Sequence, residues 1–490
     1  MRVLLVYFNP ARDLLPAPPI GLAYVASATE RAGHEVRVLD LLARERPGAD
    51  VAQAVRAFAP HVVGISVRNI DNIVRQRPAW HLGELAGLLA AVRREGPVPI
   101  VLGGPAVSVL GATALNRLDA DFAVVGEGEE TFPALLSALE GHRPWGGIPG
   151  LCYRDGGAVR GMPPARLPRF GASGMERWVH WPAYERRGGT WAIQTKRGCP
   201  LHCCYCAYPG IEGHAGRMRP PEEVVDEIEH VMTHVGPRTF ELVDSTFNVP
   251  PEPAAALCRE IIRRGLDVRL TAMGVNPLGV SESLFTLMRQ AGFNSMMITP
   301  EAASDPMLRT LRKGFTVEDV RRTATLARSC GIASAWFFML GGPGETRETV
   351  EQTVSFVERH LSWRGCVSIF MTGIRILPGT ELQRRAVAEG HLAPDLDLAE
   401  PAFYLSPAVD EDWILSRISR AIRRCPAVVH AAEEGRSTYE RLVDRALGLL
   451  GVAPPYWRFL PLLLRVPPVP TLRQRYRPAG AAPTAPPTAR

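Results

Sequence analysis

The fold of this chain is restricted most by two series of short apolar segments. In each series the apolar segments alternate with helical patterns. The first series occupies residues 1–140 and the second residues 188–390. Strands that are separated by helices and apolar along most of their length are typical of parallel sheets covered on both faces. The sequence therefore predicts an α/β protein with two successive parallel-sheet units.

The first unit, residues 1–140, contains five predicted strands. Ligand-binding loops of such sheets follow the carboxyl ends of the strands, so the loops after these strands are candidate binding loops. The predicted strands are Val3 to Tyr7, Glu35 to Leu39, His61 to Ser66, Pro99 to Leu102 and Phe122 to Val125.

The second unit, residues 188–390, repeats the strand-then-helix order six times. Six such units cannot close a standard eight-stranded barrel, so the expectation is an open, partial (β/α)6 barrel. The predicted strands are Trp191 to Thr195, Thr239 to Val243, Val268 to Met273, Ser295 to Thr299, Ser334 to Leu340 and Val367 to Ile376.

The remaining segments lack a sustained strand or helix series. Residues 141–187 are rich in Gly, Pro and Arg and predict a linker, with one hairpin around Leu151 to Val159. Residues 391–475 predict a mostly helical C-terminal extension. Residues 476–490 have the composition of a disordered tail.

Charge and cysteine content exclude several classes of protein. The net charge is only +6, and the arginines alternate with acids instead of forming the basic stripe typical of nucleic-acid binding. No segment reaches the ~18 apolar residues of a membrane span, and the N-terminus lacks the pattern of a signal peptide. Nine cysteines in such a chain favour a reducing, cytoplasmic setting over a disulfide framework.

Four of the nine cysteines fall within eight residues, directly after the first strand of the second unit. Cys199, Cys203 and Cys206 have the spacing C-x3-C-x2-C. Three thiolates can bind three irons of a [4Fe–4S] cluster and leave the fourth iron open to a ligand. Zinc is the alternative, with His202 or His214 as the fourth ligand. The spacing favours the iron–sulfur cluster.

The segment Cys199-x3-Cys203-x-Tyr205-Cys206 resembles the signature of the radical S-adenosylmethionine (SAM) superfamily. The resemblance covers roughly residues 188–390 and implies that the three cysteines ligate iron and that SAM binds the open iron. Cys204 has no role in the signature, and we interpret it as a free thiol. The same resemblance implies a set of SAM contacts at the strand ends: Tyr205, Asp244, Ser245, Glu301, Gly341, Gly342 and Arg375.

The order of the two units is similar to the cobalamin-binding branch of that superfamily, which implies a Rossmann-like cobalamin domain at residues 1–140. The motifs that carry this resemblance are Pro18-Pro19-Ile-Gly21, Val101-Leu-Gly103-Gly104-Pro105 and Val125-Gly126-Glu127-Gly128-Glu129. Glycines at strand ends would let the backbone approach a flat ligand. The implied cobalamin contacts are Ser66, Arg68, Gly103, Gly104, Gly126, Glu127 and Gly128.

The chain lacks the Asp-x-His-x-x-Gly motif that supplies a lower axial histidine to cobalamin. The resemblance instead implies that Arg68 lies beneath the cobalt without coordinating it, since guanidinium does not lose its proton in proteins. The alternative is a local ion pair between Arg68 and Asp71 that only shapes the loop.

The implied activity is methylation of an unactivated carbon in natural-product or small-molecule metabolism. One SAM would supply a methyl group to cobalamin, and a second would yield a 5′-deoxyadenosyl radical. An electron donor such as flavodoxin or ferredoxin would reduce the cluster. Two alternatives stay open: a radical SAM dehydratase, epimerase or cyclase with a vestigial cobalamin domain, and a zinc-stabilised binding protein. No catalytic side chain is assigned.

Overall fold

The computed structural model describes residues 1–10, 16–42, 44–431 and 438–463. The predicted tail at 476–490 and the end of the predicted helical extension lie outside the described residues. Among the described residues, none of the helices has the length and apolar character required to cross a membrane.

The first sheet has seven strands in the order β2-β1-β3-β4-β5-β6-β7, of which the first five are parallel. The last two strands pair antiparallel. The strands are β1 (Arg2–Phe8), β2 (Glu35–Asp40), β3 (Val62–Val67), β4 (Ile100–Gly103), β5 (Phe122–Val124), β6 (Leu151–Asp155) and β7 (Ala158–Gly161).

Helices cover both faces of this sheet, as the apolar strands predict. In β1, Leu4 and Val6 pack into one core while Val3 and Leu5 pack into another, because successive side chains point to opposite faces. The helices are α1 (Ile20–Arg31), α2 (Pro47–Phe58), α3 (Leu82–Arg93), α4 (Pro105–Leu110), α5 (Ala112–Arg117) and α6 (Gly128–Glu140).

The hairpin predicted within residues 141–187 is present as β6 and β7, and it extends the first sheet instead of lying apart from it. Its two central residues, Gly156 and Gly157, have φ values of 56° and 88°. A two-residue turn with both φ values positive has the twist that joins antiparallel strands, and glycine adopts it at little cost.

The second sheet is a partial barrel of seven parallel strands in the order β18-β15-β14-β13-β12-β11-β8. Two short antiparallel pairs, β9 with β10 and β16 with β17, lie at its margin. The strands are β8 (Trp191–Ile193), β9 (Lys196–Arg197), β10 (Arg217–Met218), β11 (Phe240–Leu242), β12 (Leu270–Val275), β13 (Phe293–Glu301), β14 (Ala333–Leu340), β15 (Cys366–Thr372), β16 (Ile374–Arg375), β17 (Phe403–Tyr404) and β18 (Val428–His430).

Six of the seven barrel strands come from residues 188–390, as predicted, but the seventh does not. Strand β18 belongs to the extension that we expected to be mostly helical, and it pairs with β15. A strand of three residues is too short to show a period-2 pattern, so its pairing depends on the open edge of the sheet.

Most helices of this unit pack around the outside of the barrel, whereas Leu460 of the last helix packs against the interior cluster. Trp336 and Phe338 of β14 face these helices, whereas Ala335 and Phe337 face the interior. The helices are α7 (Trp181–Glu185), α8 (Tyr208–Glu212), α9 (Pro221–His234), α10 (Pro251–Arg264), α11 (Glu282–Gln290), α12 (Asp305–Thr310), α13 (Val317–Ser329), α14 (Arg347–His360), α15 (Glu381–Ala388), α16 (Glu411–Arg424), α17 (Thr438–Leu449) and α18 (Leu460–Leu463).

Candidate functional site

The cysteine-rich loop joins β9 to α8 at the carboxyl end of the barrel. Cys199 is buried, while Cys203 and Cys206 remain partly exposed. The Cys199 N–H donates to the Gly213 carbonyl (3.0 Å), and the Cys206 N–H donates to the Cys203 carbonyl (3.2 Å). These bonds fold the segment into a compact loop whose three thiols are free of disulfides.

Cys204 differs from its neighbours because its side chain packs into the apolar core of the barrel. Its N–H donates to the Leu311 carbonyl (3.1 Å), and its own carbonyl accepts from the Leu382 N–H (2.8 Å). Burial raises the pKa of its thiol to about 11. Cys204 therefore attaches the loop to the barrel through its backbone hydrogen bonds and its buried side chain.

The thiols of Cys199, which is buried, and of Cys206, which is partly exposed, suit a metal cluster. The backbone N–H groups of Leu201 and Tyr208 favour the thiolate forms of Cys199 and Cys206 and so lower the pKa of these thiols. Burial nevertheless raises the pKa of both thiols, to about 12 for Cys206. Metal coordination overrides such a shift and deprotonates a thiol outright. The loop thus has the three thiols that a [4Fe–4S] cluster with one open iron requires.

The zinc alternative lacks a site in the part of the chain that the structure describes. Zinc needs four ligands converging on one ion, and these residues contain no group of three or more His, Cys, Asp and Glu that could hold one. The imidazoles of His202 and His214 instead stack on one another, with ring centroids 4.4 Å apart. Three sulfurs that bind different irons of a cluster need no such convergence.

Both lysines of the chain lie beside this loop, and each is only 2% exposed. The Lys196 ammonium donates to the Val249 carbonyl (2.5 Å), and the Lys313 ammonium donates to the Tyr205 hydroxyl (3.0 Å). Their charges oppose the rise in pKa that burial causes at Cys199 and Cys206. Two buried cations therefore stabilise negative charge on the cysteine loop, an arrangement that composition alone did not reveal.

Tyr205 and Glu301, predicted separately as SAM contacts, touch one another. The Tyr205 hydroxyl donates to Glu301 Oε1 (2.7 Å), and Lys313 Nζ lies 3.6 Å from the same oxygen. Glu301 has φ 63°, a left-handed conformation that is costly for glutamate. Its Oε2 is buried without a partner, and burial raises the pKa of the carboxyl group. Such an oxygen suits a bound amine or hydroxyl group.

Asp244 and Ser245 lie beneath the cysteine loop and already have protein partners. Asp244 Oδ1 accepts from the backbone N–H groups of Thr195 and Lys196 at 2.8 and 3.1 Å, and Oδ2 accepts from the Thr195 hydroxyl at 2.5 Å. Burial raises the pKa of Asp244 to about 6, although these bonds work against the shift. The Ser245 hydroxyl donates to Glu212. Both residues support the loop from below.

Gly341 and Gly342 follow β14 and form a tight turn. Gly341 has φ 90°, and a Cβ there would lie 2.4 Å from a methyl group of Leu405. Its N–H donates to Glu345 Oε2 (3.2 Å). Glycine is required here by the surrounding protein, and the turn depends on the carboxyl group of Glu345.

Arg375, predicted as a SAM contact, has a guanidinium that is occupied by protein partners. Its Nε donates to Asp71 Oδ2 (2.7 Å), and its other nitrogens donate to the carbonyls of Ile376 (2.5 Å) and Leu398 (2.8 Å). The Arg375 and Asp71 side chains are 4% and 2% exposed. Arg375 therefore joins the barrel to the first sheet. Asp71 therefore pairs with Arg375 of the barrel, and not with Arg68 as the alternative interpretation proposed.

The first sheet reverses its strand order between β1 and β3, which is where doubly wound sheets bind ligands. Arg68 follows β3 at this point, half-buried. Burial opposes its charge, but Tyr7, Tyr208 and Glu241 around it raise the pKa of the guanidinium. Tyr208 is 50% exposed, yet burial raises the pKa of its hydroxyl. Arg68 of the first sheet therefore lies close enough to Tyr208 and Glu241 of the second unit for their charges to interact.

The sequence predicted that glycines at the strand ends of the first sheet let a flat ligand approach the backbone. Most of them instead make room for other parts of the protein. A Cβ on Gly104 would lie 2.7 Å from the Val67 carbonyl and 3.0 Å from the Ser66 hydroxyl. On Gly126 it would meet Pro164 at 2.8 Å, and on Gly128 it would meet Val25 at 2.9 Å. These glycines allow the protein to pack against itself. A Cβ on Gly103 meets nothing closer than 4.0 Å, so among the four glycines predicted to contact cobalamin this one leaves room for a ligand.

Glu127 is directed toward the barrel, with its side chain only 7% exposed. It lies 3.2 Å from Arg197 and 2.5 Å from Arg217, and it accepts from the Leu167 N–H at 3.0 Å. Burial raises the pKa of its carboxyl group, but these partners outweigh burial and lower it overall. Its carboxylate is thus occupied by protein partners.

The barrel interior contains a set of methionines that sequence reasoning missed. Met297 is in register with Ala335, and Met339 with Met371, so these side chains share the inward face of neighbouring strands. Met273 on β12 is 36% exposed although it lies on an interior strand. The sequence does contain a signal for these methionines, because they occupy alternate positions on successive strands. The inward face of these strands is therefore apolar and adaptable.

Two family models match the two sheet units. The Radical SAM superfamily model matches residues 193–357, and the B12 binding domain model matches residues 13–136. An uncharacterized methyltransferase of Pyrococcus horikoshii is 30% identical over 354 residues, which cover 70% of this chain and 73% of that protein. The tryptophan 2-C-methyltransferase of Streptomyces laurentii is 27% identical, over 76% of this chain and 72% of that protein.

A solved structure resembles nearly the whole chain. It is the radical S-adenosylmethionine methyltransferase TsrM from Kitasatospora setae, with cobalamin and a [4Fe–4S] cluster bound. It is 25% identical, has a TM-score of 0.81, and covers 95% of this chain and 98% of its own. The likeness therefore includes both sheets and the segments that follow them.

Proposed function

Because the chain belongs to the B12-binding branch of the radical SAM superfamily, we propose that it is a cobalamin-dependent methyltransferase acting on an unactivated carbon of a small molecule. One observation carries this proposal: Arg68, at the switch point of the first sheet, lies beside Tyr208 of the segment that follows the cysteine loop. Arg68 follows β3 on one side, and Tyr208, two residues after Cys206, faces it from the barrel. A cobalamin and a cluster-bound SAM would meet there.

The cysteines at 199, 203 and 206 would hold the cluster, and Lys196 and Lys313 would balance its negative charge. When bound, the cluster and cobalamin supply one-electron and methyl-carrying chemistry that side chains cannot provide. The protein's part is to hold these groups in place and to exclude water. A donor such as flavodoxin or ferredoxin would supply the electron, in a cytoplasmic setting.

SAM would be held by Glu301 through its unpartnered Oε2, which suits the amino group or a ribose hydroxyl. Tyr205 would hold that carboxylate in place, and the Gly341–Gly342 turn would lie against the adenine. Asp244 and Ser245 would contribute by supporting the loop. Gly103, with open space at its α-carbon, is the favoured backbone contact for cobalamin, and Arg68 would lie at its lower face without coordinating.

The methionine-lined interior supports a substrate that places an apolar, uncharged group at the reacting position. Met273, Met339 and Met371 would offer soft contacts, whereas Met297 and Phe337 belong to a cluster that Trp457 and Leu460 cover. Thioether side chains adapt to irregular apolar shapes and contact aromatic rings favourably. An unactivated carbon in such a group has no neighbouring polar group that would make its hydrogen acidic. Radical chemistry is therefore needed to replace that hydrogen.

The test is anaerobic preparation with hydroxocobalamin supplied, followed by desalting, metal analysis and product analysis with SAM and reductant. We expect about four irons per chain, retained cobalamin, and formation of S-adenosylhomocysteine together with 5′-deoxyadenosine. Replacing any one ligand by alanine should abolish SAM cleavage, and Cys204→Ala, the matched control, should not. The ligands tested are Cys199, Cys203 and Cys206.

Two outcomes would contradict this assignment. Loss of the cluster in Cys204→Ala alone would show that the ligand set is wrong. Retention of the cluster without any cobalamin, with 5′-deoxyadenosine as the sole SAM product, would favour a radical dehydratase, epimerase or cyclase instead.

A further inference from the structure

We propose that Arg197 is a positioning residue that sets the distance between the cobalamin site and the iron–sulfur cluster. The inference rests on the proposed function, since it concerns how the two cofactors are aligned. It starts from the place of Arg197 in the chain, where only Gly198 separates it from the ligand Cys199.

Arg197 links the cysteine loop to the cobalamin-side loop by buried ion pairs. One guanidinium nitrogen lies 3.2 Å from Glu127 Oε2, and another lies 2.6 Å from Glu129 Oε1. Its Nε donates to Gln194 Oε1 (3.0 Å). The Arg197, Glu127 and Glu129 side chains are 6%, 7% and 12% exposed. Solvent therefore screens these contacts little.

Aromatic rings hold the same guanidinium. It lies 4.3 Å from the ring centroid of Phe170 and 4.7 Å from that of Tyr24. Tyr24 belongs to α1 of the first sheet, and Phe170 to the connection between the sheets. A planar guanidinium can stack on rings while it bridges two carboxylates, which a lysine ammonium cannot do. The contact thus depends on arginine itself.

A second arginine completes the arrangement from the neighbouring strand. Arg217 on β10 is paired with Arg197 on β9, and it lies 2.5 Å from Glu127 Oε1. Two arginines and two glutamates give a buried group with no net charge. Removing one member leaves an uncompensated buried charge, so the arrangement has one favoured geometry.

This geometry determines how the two cofactors face each other. Glu127 lies between Gly126 and Gly128 at the edge of the first sheet, whereas Arg197 is continuous with the cluster loop. Methyl transfer from SAM requires its methyl group to lie in line with the cobalt. A displacement of about 1 Å can lower the rate of such a step about 100-fold.

The experiment compares Arg197→Gln with Arg417→Gln in the holoenzyme. Arg417 is a matched control, because it is 4% exposed and pairs with Glu351 (2.7 Å) and Glu358 (3.0 Å), two carboxylates on the same barrel helix. The readouts are iron and cobalamin content, the distance between reduced cluster and cob(II)alamin by pulsed EPR, and the rates of S-adenosylhomocysteine and 5′-deoxyadenosine formation.

We expect Arg197→Gln to keep both cofactors, to broaden or lengthen the measured distance, and to lower S-adenosylhomocysteine formation about 100-fold. Production of 5′-deoxyadenosine should fall much less, since it depends on the cluster and SAM alone. Arg417→Gln should change neither the distance nor the ratio of the two products. Arg197→Lys, which restores the charge without the stacking, should recover part of the lost rate.

An unchanged distance and product ratio in Arg197→Gln would overturn the inference while leaving the proposed function intact. An equal loss of both cofactors in Arg197→Gln and Arg417→Gln would show a merely structural role and overturn it as well. If Arg197→Gln does not fold, Glu129→Gln provides the same comparison with the Glu127 contact retained. Wild-type protein that binds no cobalamin would instead overturn the proposed function.

Discussion

Glu345 is the buried carboxyl group whose ionisation most directly affects the turn predicted to contact the adenine of SAM. It is fully buried, accepts from the Gly341 N–H at 3.2 Å and from the Thr349 hydroxyl at 2.6 Å, and faces no cation among its described partners. Burial raises the pKa of its carboxyl group to about 7. The informative change is Glu345→Gln, which keeps an acceptor for Gly341 and offers a donor to Thr349.

The magnitude follows from the difference between the folded and unfolded pKa values. A pKa near 7 in the folded state, against 4.5 unfolded, means that folding takes up a proton between these values. The stabilisation associated with this proton is complete below pH 4.5 and is lost as the pH rises through 7. At roughly 1.4 kcal/mol per pKa unit, the wild-type protein should lose about 2 kcal/mol relative to the glutamine variant between about pH 5.5 and pH 8.5.

The assay is thermal unfolding followed by circular dichroism at both pH values. With about 2–4 °C per kcal/mol for a domain of this size, the melting temperature of Glu345→Gln should gain roughly 4–8 °C on wild type between the two conditions. Glu348→Gln removes an exposed carboxylate from the same helix and controls for the loss of one charge. A difference between Glu345→Gln and wild type that does not change with pH would refute the reasoning.

Three further perturbations test the other groups. Glu301→Gln should weaken SAM binding about tenfold, as expected for one charge-assisted hydrogen bond, with little change in melting temperature; unchanged affinity in calorimetry together with lower stability would show a structural role. Asp71→Ala should lower the free energy of unfolding in denaturant by about 3–5 kcal/mol, because it leaves Arg375 as an unpaired buried charge. Adding Arg375→Met should recover most of this loss. If the double variant shows no recovery, the ion pair is not the cause. Arg68→His should add a nitrogen ligand to bound cobalamin, visible as superhyperfine splitting in the cob(II)alamin EPR spectrum, whereas an unsplit spectrum would remove Arg68 from the lower face.

The α/β organisation could be predicted because burial on both faces leaves a local record. Strand β1 is apolar at nearly every position because its alternate side chains enter two different cores. The cysteine motif could also be identified from the sequence, because Cys199, Cys203 and Cys206 lie within one short loop. Both features depend on residues that are neighbours in the chain.

The contacts that the sequence did not predict join residues that are distant in the chain. The predicted SAM contact Arg375 pairs with Asp71, 304 positions away, and Glu127 is occupied by Arg197 and Arg217. Strand-end motifs indicate which edge a side chain occupies, but not the partner it reaches. The seventh barrel strand, β18, was missed for the same reason, because its pairing requires the open edge of β15.

The sequence by itself determined the two parallel-sheet units, their order, and the three thiols available to a cluster, because strand periodicity and loop spacing are local properties of the chain. Only the tertiary structure decided which polar groups remain free for ligands. Buried charges take whichever partner the packing of the two sheets brings within hydrogen-bond distance. For this reason Arg375 and Glu127 join the sheets, whereas Glu301 retains an unpartnered oxygen beside the cysteine loop.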